Sequence, residues 1–229
     1  NRMSNVSKPE RATQDRVIEL FTQKMGYRYL GDWSEREGNH CIEESELTAF
    51  LMRNGNSPAH ISAALHKLRS EALLHGRTLY AANQAVYQLL RYGVPVKTEA
   101  GKATETVHLI NWKEATSNHF AIAEEVTLKG KQQRRPDLVL YVNGIALGVL
   151  ELKRSTVSVS EGIRQNLDNQ KKEFIQPFFS TMQWVMAGND TEGLRYAAIE
   201  TPEKYWLSWI EETGEFAEER SEERRVGKE

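Results

Sequence analysis

Residues 134–155, RRPDLVLYVNGIALGVLELKRS, place the tightest constraint on the fold. Asn143-Gly144 divides two runs of β-branched and aliphatic residues, a pattern that predicts an antiparallel hairpin. This is the most apolar part of the chain, yet Asp137 stands at its entrance and Glu151 and Lys153 near its end. A carboxylate buried without a partner costs several kcal/mol, so two of them together require a counter-charge.

Loop length decides which side chains share a face. A two-residue loop pairs Val142 with Ile145, sets Asp137 opposite Leu150 and sends Glu151 to the other face. A three-residue loop with Gly144 left-handed pairs Tyr141 with Ile145 and sets Asp137 opposite Val149. Glu151 and Lys153 then lie on the side of Asp137, because side chains alternate along a strand. The charges converge only in the second register, so an odd-length turn or an equivalent bulge is predicted. Asp137 and Glu151 become diagonal neighbours about 7–8 Å apart, a span that one metal ion bridges. Hard oxygen ligands suit Mg²⁺ or Mn²⁺. A structural salt bridge of Lys153 with Asp137 or Glu151 is the competing reading.

The first 95 residues read as helices. PERATQDRVIELFTQKMG puts Val17, Leu20, Phe21 and Met25 on one stripe, and EESELTAFLMRNG follows. SPAHISAALHKLRSEALL opens with Ser57 as N-cap and Pro58 in the first turn, and TLYAANQAVYQLLRYG closes on Gly93. Strands are expected near 94–97, 106–111, 120–128, 135–142 and 145–153, then a helix over about 160–174 and strands at WVMAG and LRYAAI. PEKYWLSWI is expected to pack as a helix or lid. The order of elements indicates an α/β domain.

Composition removes several classes of function. Cys41 is the sole cysteine, so neither an internal disulfide nor a cysteine zinc cluster can form, and the six histidines make no HExxH. No apolar run approaches a membrane span, and the expected location is cytoplasmic, without a membrane partner. The formal net charge of -2 argues against holding DNA by bulk electrostatics alone. Residues 211–229 contain eight acidic and four basic residues and are expected to be a disordered or non-native tail.

RPD, thirteen residues, then ELK on adjoining strands, followed by a helix carrying Gln165, resembles the PD-(D/E)xK nuclease superfamily. With LYAANQAVYQLLRYGVPV, TVHLINW and NHFAIAEEVTLKG, the resemblance narrows to the N-terminal nuclease domain of the restriction subunit of type I restriction-modification enzymes. It implies a restriction-endonuclease-like core with a central mixed sheet flanked by helices, plus a small N-terminal helical subdomain. The implied boundaries are 9–210 for the domain, about 9–93 for the helical part and about 94–210 for the core.

The resemblance further implies Mg²⁺-dependent cleavage of double-stranded DNA, with Mn²⁺ as a substitute. Asp137 and Glu151 would be metal ligands, Lys153 would activate the attacking water, and Gln165 would stand in the first place of a glutamine–tyrosine pair. Asn169 occupies the tyrosine's place, so a role for it at the DNA backbone does not carry over directly. Glu10 is the candidate for an upstream helical glutamate that completes the site; a solvated first-turn glutamate is the alternative. Arg134 and Arg135 are candidates for phosphate contact, with a plain surface role as the alternative. Methyltransferase and specificity subunits are the implied partners. No GxxxxGK[ST] occurs, so ATP use is expected only in a motor region outside this chain. Other readings are a different PD-(D/E)xK nuclease and a catalytically silent module that docks to DNA or partner subunits.

Overall fold

A computed structural model describes residues 8–97, 101 and 103–210; the expected tail at 211–229 lies outside them. Helix α1 spans Lys8–Glu19 and runs into a π-helical turn at Leu20–Lys24. Strand β1 (Arg28–Asp32) follows, then α2 (Glu44–Arg53), α3 (Pro58–Ala72) and α4 (Leu79–Tyr92). Next come β2 (Val94–Val96), β3 (Glu105–Val107), β4 (Phe120–Glu124), β5 (Leu138–Val142) and β6 (Ile145–Leu152). Helix α5 (Val159–Asn169) leads to β7 (Trp184–Asn189), β8 (Gly193–Ala197) and β9 (Leu207–Ser208).

Seven strands form one mixed sheet in the order β1-β4-β5-β6-β7-β8-β9, parallel at β1/β4 and β6/β7 and antiparallel elsewhere. The period-2 alternation of β5 and β6 divides its core between two faces. Val139, Tyr141 and Val149 face Ile163 of α5 and Phe178, Phe179 and Met182. Leu138, Leu150 and Leu152 face the other way, against Val17, Ile18 and Phe21. Helices α2 to α4 bury a separate cluster that also takes in Val94, Val96 and Val107 of the small β2–β3 sheet.

The capping signals act as the residue types predict. The Ser57 side chain accepts from His60 N, Thr78 accepts from Ala81 N, and Gly93 ends α4 at φ +86° with its N–H on Leu89 O.

Other expectations change in the folded chain. Val17 and Phe21 pack on the sheet, whereas Leu20 and Met25 stay exposed, because the π-helical turn breaks the 3.6-residue phase that put all four on one stripe. Strand β1 joins the sheet as an edge, parallel to β4; its sequence RYLGD has no β-branched residue and carries Gly31, so it lacks the pattern by which a strand is recognised. PEKYWLSWI forms a 3₁₀ turn at Glu203–Tyr205 and the short edge strand β9, with Trp206 buried by its side chain rather than by a helical stripe.

Candidate active site

The hairpin turn has two residues, Asn143 at φ +52° and Gly144 at φ +82°, and Val142 pairs with Ile145. Positive φ at both central positions is what Asn-Gly supplies most cheaply. The Asn143 side chain is fully buried, donating to Leu109 O and Asn118 Oδ1 and accepting from His119 N. Gly144 lies against the start of α2: its carbonyl accepts from Glu43 N at 2.7 Å, and an added Cβ would stand 2.6 Å from Glu43 O.

The register then slips. Tyr141 pairs with Ala146 but Leu140 pairs with Gly148, so Leu147 is an extra residue on β6. The Leu147 carbonyl accepts from Gln183 N at the approach to β7. Above the slip, Val139 pairs with Val149 and Leu138 with Leu150, which sets Asp137 directly opposite Glu151. The odd-length turn is thus replaced by a two-residue turn plus a bulge. The predicted shared face is kept, but Asp137 faces Glu151 rather than Val149.

Glu151 is fully buried. Burial and the neighbouring Asp137 carboxyl push it well above the usual carboxylate range, against the pull of Lys153. Burial likewise pushes Asp137 up to about 6, against the Leu152 N–H that donates to its Oδ2 at 2.7 Å and the charge of Lys153. A fully buried carboxylate and the half-buried one beside it cannot both ionise readily without added positive charge.

Helix α5 supplies the next layer. Its first turn is anchored by Glu192, which accepts from Val159 N at 2.8 Å, and Gly162 brings it close to β7, where a Cβ would sit 3.1 Å from that of Ala187. Gln165 Nε2 donates to Glu151 Oε2 at 2.7 Å, while Gln165 Oε1 accepts from Lys153 Nζ at 2.7 Å. Asn169 Nδ2 donates to Glu151 Oε1 at 3.1 Å. Glu10 of α1 reaches Lys153 Nζ at 3.9 Å.

The arrangement therefore brings together Asp137, Glu151, Lys153, Gln165, Asn169 and Glu10. Its donors are carboxylate oxygens with an ammonium alongside, chemistry that suits a hard divalent cation holding part of its own water shell. Among the described residues no three His, Cys, Asp or Glu side chains are grouped as a metal-binding set, so the local ligand chemistry is that of a carboxylate pair.

Residues 7–204 match the family described as "Type I restriction enzyme R protein N terminus". The chain belongs to this family. It is 27% identical over 161 residues to the type I restriction enzyme HindI endonuclease subunit of Haemophilus influenzae, covering 66% of this chain and 15% of that protein. It is 36% identical over 145 residues to a Methanocaldococcus jannaschii protein named as the MjaVIIIP type I restriction endonuclease subunit, covering 60% of this chain and 13% of that protein. The chain thus spans about a seventh of the length of these relatives. Among the described residues no helix is long and apolar enough to cross a membrane.

Beside the R-protein carboxylate pair lies a second acidic pair that the sequence reasoning left unassigned. Glu125 follows β4 at φ +52°, in the left-handed region that a side chain rarely enters, and its N–H donates to Asp137 O. Glu125, Asp137 and Glu151 thereby follow one another across three neighbouring strands. Burial pushes Glu125 up, opposed by Gln14 and Arg135. Gln14 Nε2 serves both Glu124 at 2.8 Å and Glu125 at 3.1 Å; Arg11 and Tyr29 also donate to Glu124. The available signal was two adjacent glutamates ending an apolar strand, FAIAEE.

The two arginines of RRPD are held differently. Arg135 Nε meets Glu125 Oε2 at 2.7 Å, so its charge offsets a buried carboxylate, while the Arg134 guanidinium lies 3.9 Å from the centre of the Phe174 ring. Asn169 is buried against Glu151, away from solvent.

Proposed function

We propose that this chain is a Mg²⁺-dependent endonuclease domain, with residues 9–210 as the folded unit, that hydrolyses DNA phosphodiesters within a type I restriction enzyme. The observation that carries the reading is the opposed pair of half-buried Asp137 and fully buried Glu151, adjoined by Lys153. Burial and mutual repulsion disfavour ionising both acids, so a divalent cation would supply positive charge that the pair lacks. Mg²⁺, or Mn²⁺ in its place, would polarise the phosphodiester and activate the attacking water.

The chain's own groups do the rest. Asp137 and Glu151 would hold the cation, and Glu10 adds negative charge at Lys153. Gln165 fixes both Lys153 and Glu151, so the ammonium is aimed rather than free to swing. Lys153 orients the water and stabilises charge gathering on the phosphate. Arg134, stacked on Phe174, is positioned to meet a neighbouring phosphate, with Arg135 next to it.

The partners of this reading are double-stranded DNA and the methyltransferase and specificity subunits, with ATP consumed by a motor region of the full subunit. The family and the relatives' names support it. Foreign DNA met inside the cell makes the cytoplasm its place of work. A second reading, a silent module of the same fold, is favoured by Asn169 alone, which stands where the family pattern has tyrosine.

Calorimetric Mn²⁺ titration of the wild-type chain, Asp137→Ala and Glu151→Ala tests the assignment. Binding lost in both variants is the expected result. Equal binding in all three, or none in any, would overturn the metal site and favour the silent module.

A further inference from the structure

Asn169 sits 1% exposed beneath Glu151. Its Nδ2 donates to Glu151 Oε1 at 3.1 Å, one helical turn beyond Gln165, which holds Oε2 at 2.7 Å. Each Glu151 oxygen therefore receives one amide N–H from α5. The Asn169 Oδ1 is buried with no hydrogen-bond partner, a cost the fold carries on the far side of that amide. A residue kept for packing alone would be better apolar here. A residue kept for DNA contact would be open to solvent.

We infer that Asn169 is a positioning residue for the metal-binding carboxylate: with Gln165 it grips Glu151 by both oxygens and fixes it opposite Asp137, in the orientation from which the two acids would hold a divalent cation. Outer partners of ligating carboxylates typically govern metal affinity by about 10- to 100-fold. The inference rests on the metal reading of Asp137 and Glu151, and goes beyond it by assigning Asn169 to the metal rather than to the DNA backbone.

The test is Mn²⁺ calorimetry on wild type, Asn169→Leu and Asn169→Ala, with thermal midpoints in chelator and DNA binding in chelator measured beside it. Leucine keeps the approximate shape while removing both the donor and the orphaned carbonyl. The expected result is Mn²⁺ affinity lower by about 10- to 100-fold, with the metal-free midpoint of the leucine variant not lowered and DNA affinity unchanged. If the leucine variant does not fold, the alanine variant carries the same affinity test. Mn²⁺ affinity equal to wild type in a folded variant would overturn the inference, as would a loss confined to DNA affinity. No Mn²⁺ binding by wild type would instead remove the metal reading beneath it, a failure that the wild-type titration identifies by itself.

Discussion

Asp137 and Glu151 stand opposite each other across β5 and β6 because one extra residue, Leu147, slips the register between the turn and the acids. Without the slip Asp137 would face Leu150 and Glu151 would point into the α1 side of the sheet. The shared acidic face on which the proposed function rests follows from that slip.

Replacing Asp137 with asparagine should abolish Mn²⁺ binding and DNA cleavage. It should also leave the metal-free fold at least as stable, since it removes one of two mutually repelling acids. Thermal midpoints in chelator, measured beside calorimetry, check both halves.

Stability should depend on pH in the direction opposite to an ordinary salt-bridged acid. Asp137 and Glu151 are raised in the folded state, so the folded chain holds protons that the unfolded chain has released. Their contribution is fully present below the unfolded carboxylate range and is lost as pH rises through about 6 for Asp137 and higher for Glu151. The Asp137 part is on the order of 2–3 kcal/mol. Denaturation in chelator from pH 4.5 to 7.5 should show wild type losing stability relative to Asp137→Asn, and saturating Mg²⁺ should cancel the difference.

Lys153→Met should separate metal binding from chemistry. Removing an ammonium beside the carboxylates leaves Mn²⁺ affinity undiminished, while cleavage by the assembled enzyme falls by about 10²- to 10³-fold. A parallel loss of Mn²⁺ binding would mean that Lys153 only holds Glu151 in place.

Gly144→Ala should destabilise the domain by about 1–3 kcal/mol, because φ +82° is strained for alanine and its Cβ would meet Glu43 O at 2.6 Å. Urea denaturation gives the number. An effect below 0.5 kcal/mol, roughly the range of an ordinary surface change, would mean the turn relaxes away from α2.

Arg135→Ala should cost about 2 kcal/mol or more by leaving buried Glu125 without its guanidinium, and adding Glu125→Gln should recover much of it. A double-mutant cycle by denaturation measures the coupling.

What could be read in advance was a choice between two parities. Asn143-Gly144 with period-2 alternation left both open, and only the demand that Asp137, Glu151 and Lys153 converge called for an odd-length turn or a bulge; Ser57-Pro58 was enough to start α3. The pairing partner was not legible, since the bulge at Leu147 depends on where Gln183 arrives, thirty-six residues later in the chain. Strand β1 was hidden for a similar reason: an edge strand without β-branched residues and with a glycine near its end is specified by its neighbour β4 more than by its own pattern. The pair Glu124 and Glu125 was visible as an anomaly in FAIAEE, but only tertiary contact with Arg11, Gln14 and Arg135 gives it a role.

The bonds from Gln14 to Glu124 and Glu125 join positions 110 and 111 residues apart, and those from Arg11 to Glu124 join positions 113 apart. Closing so long a loop brings little reward until the sheet exists to receive α1. During synthesis the hairpin and its acids can therefore form while the opening helix still waits for its seat. Seating α1 is therefore a long-range closure that the local hairpin does not require, and the hairpin's charges stand apart from the helix that completes the acidic centre.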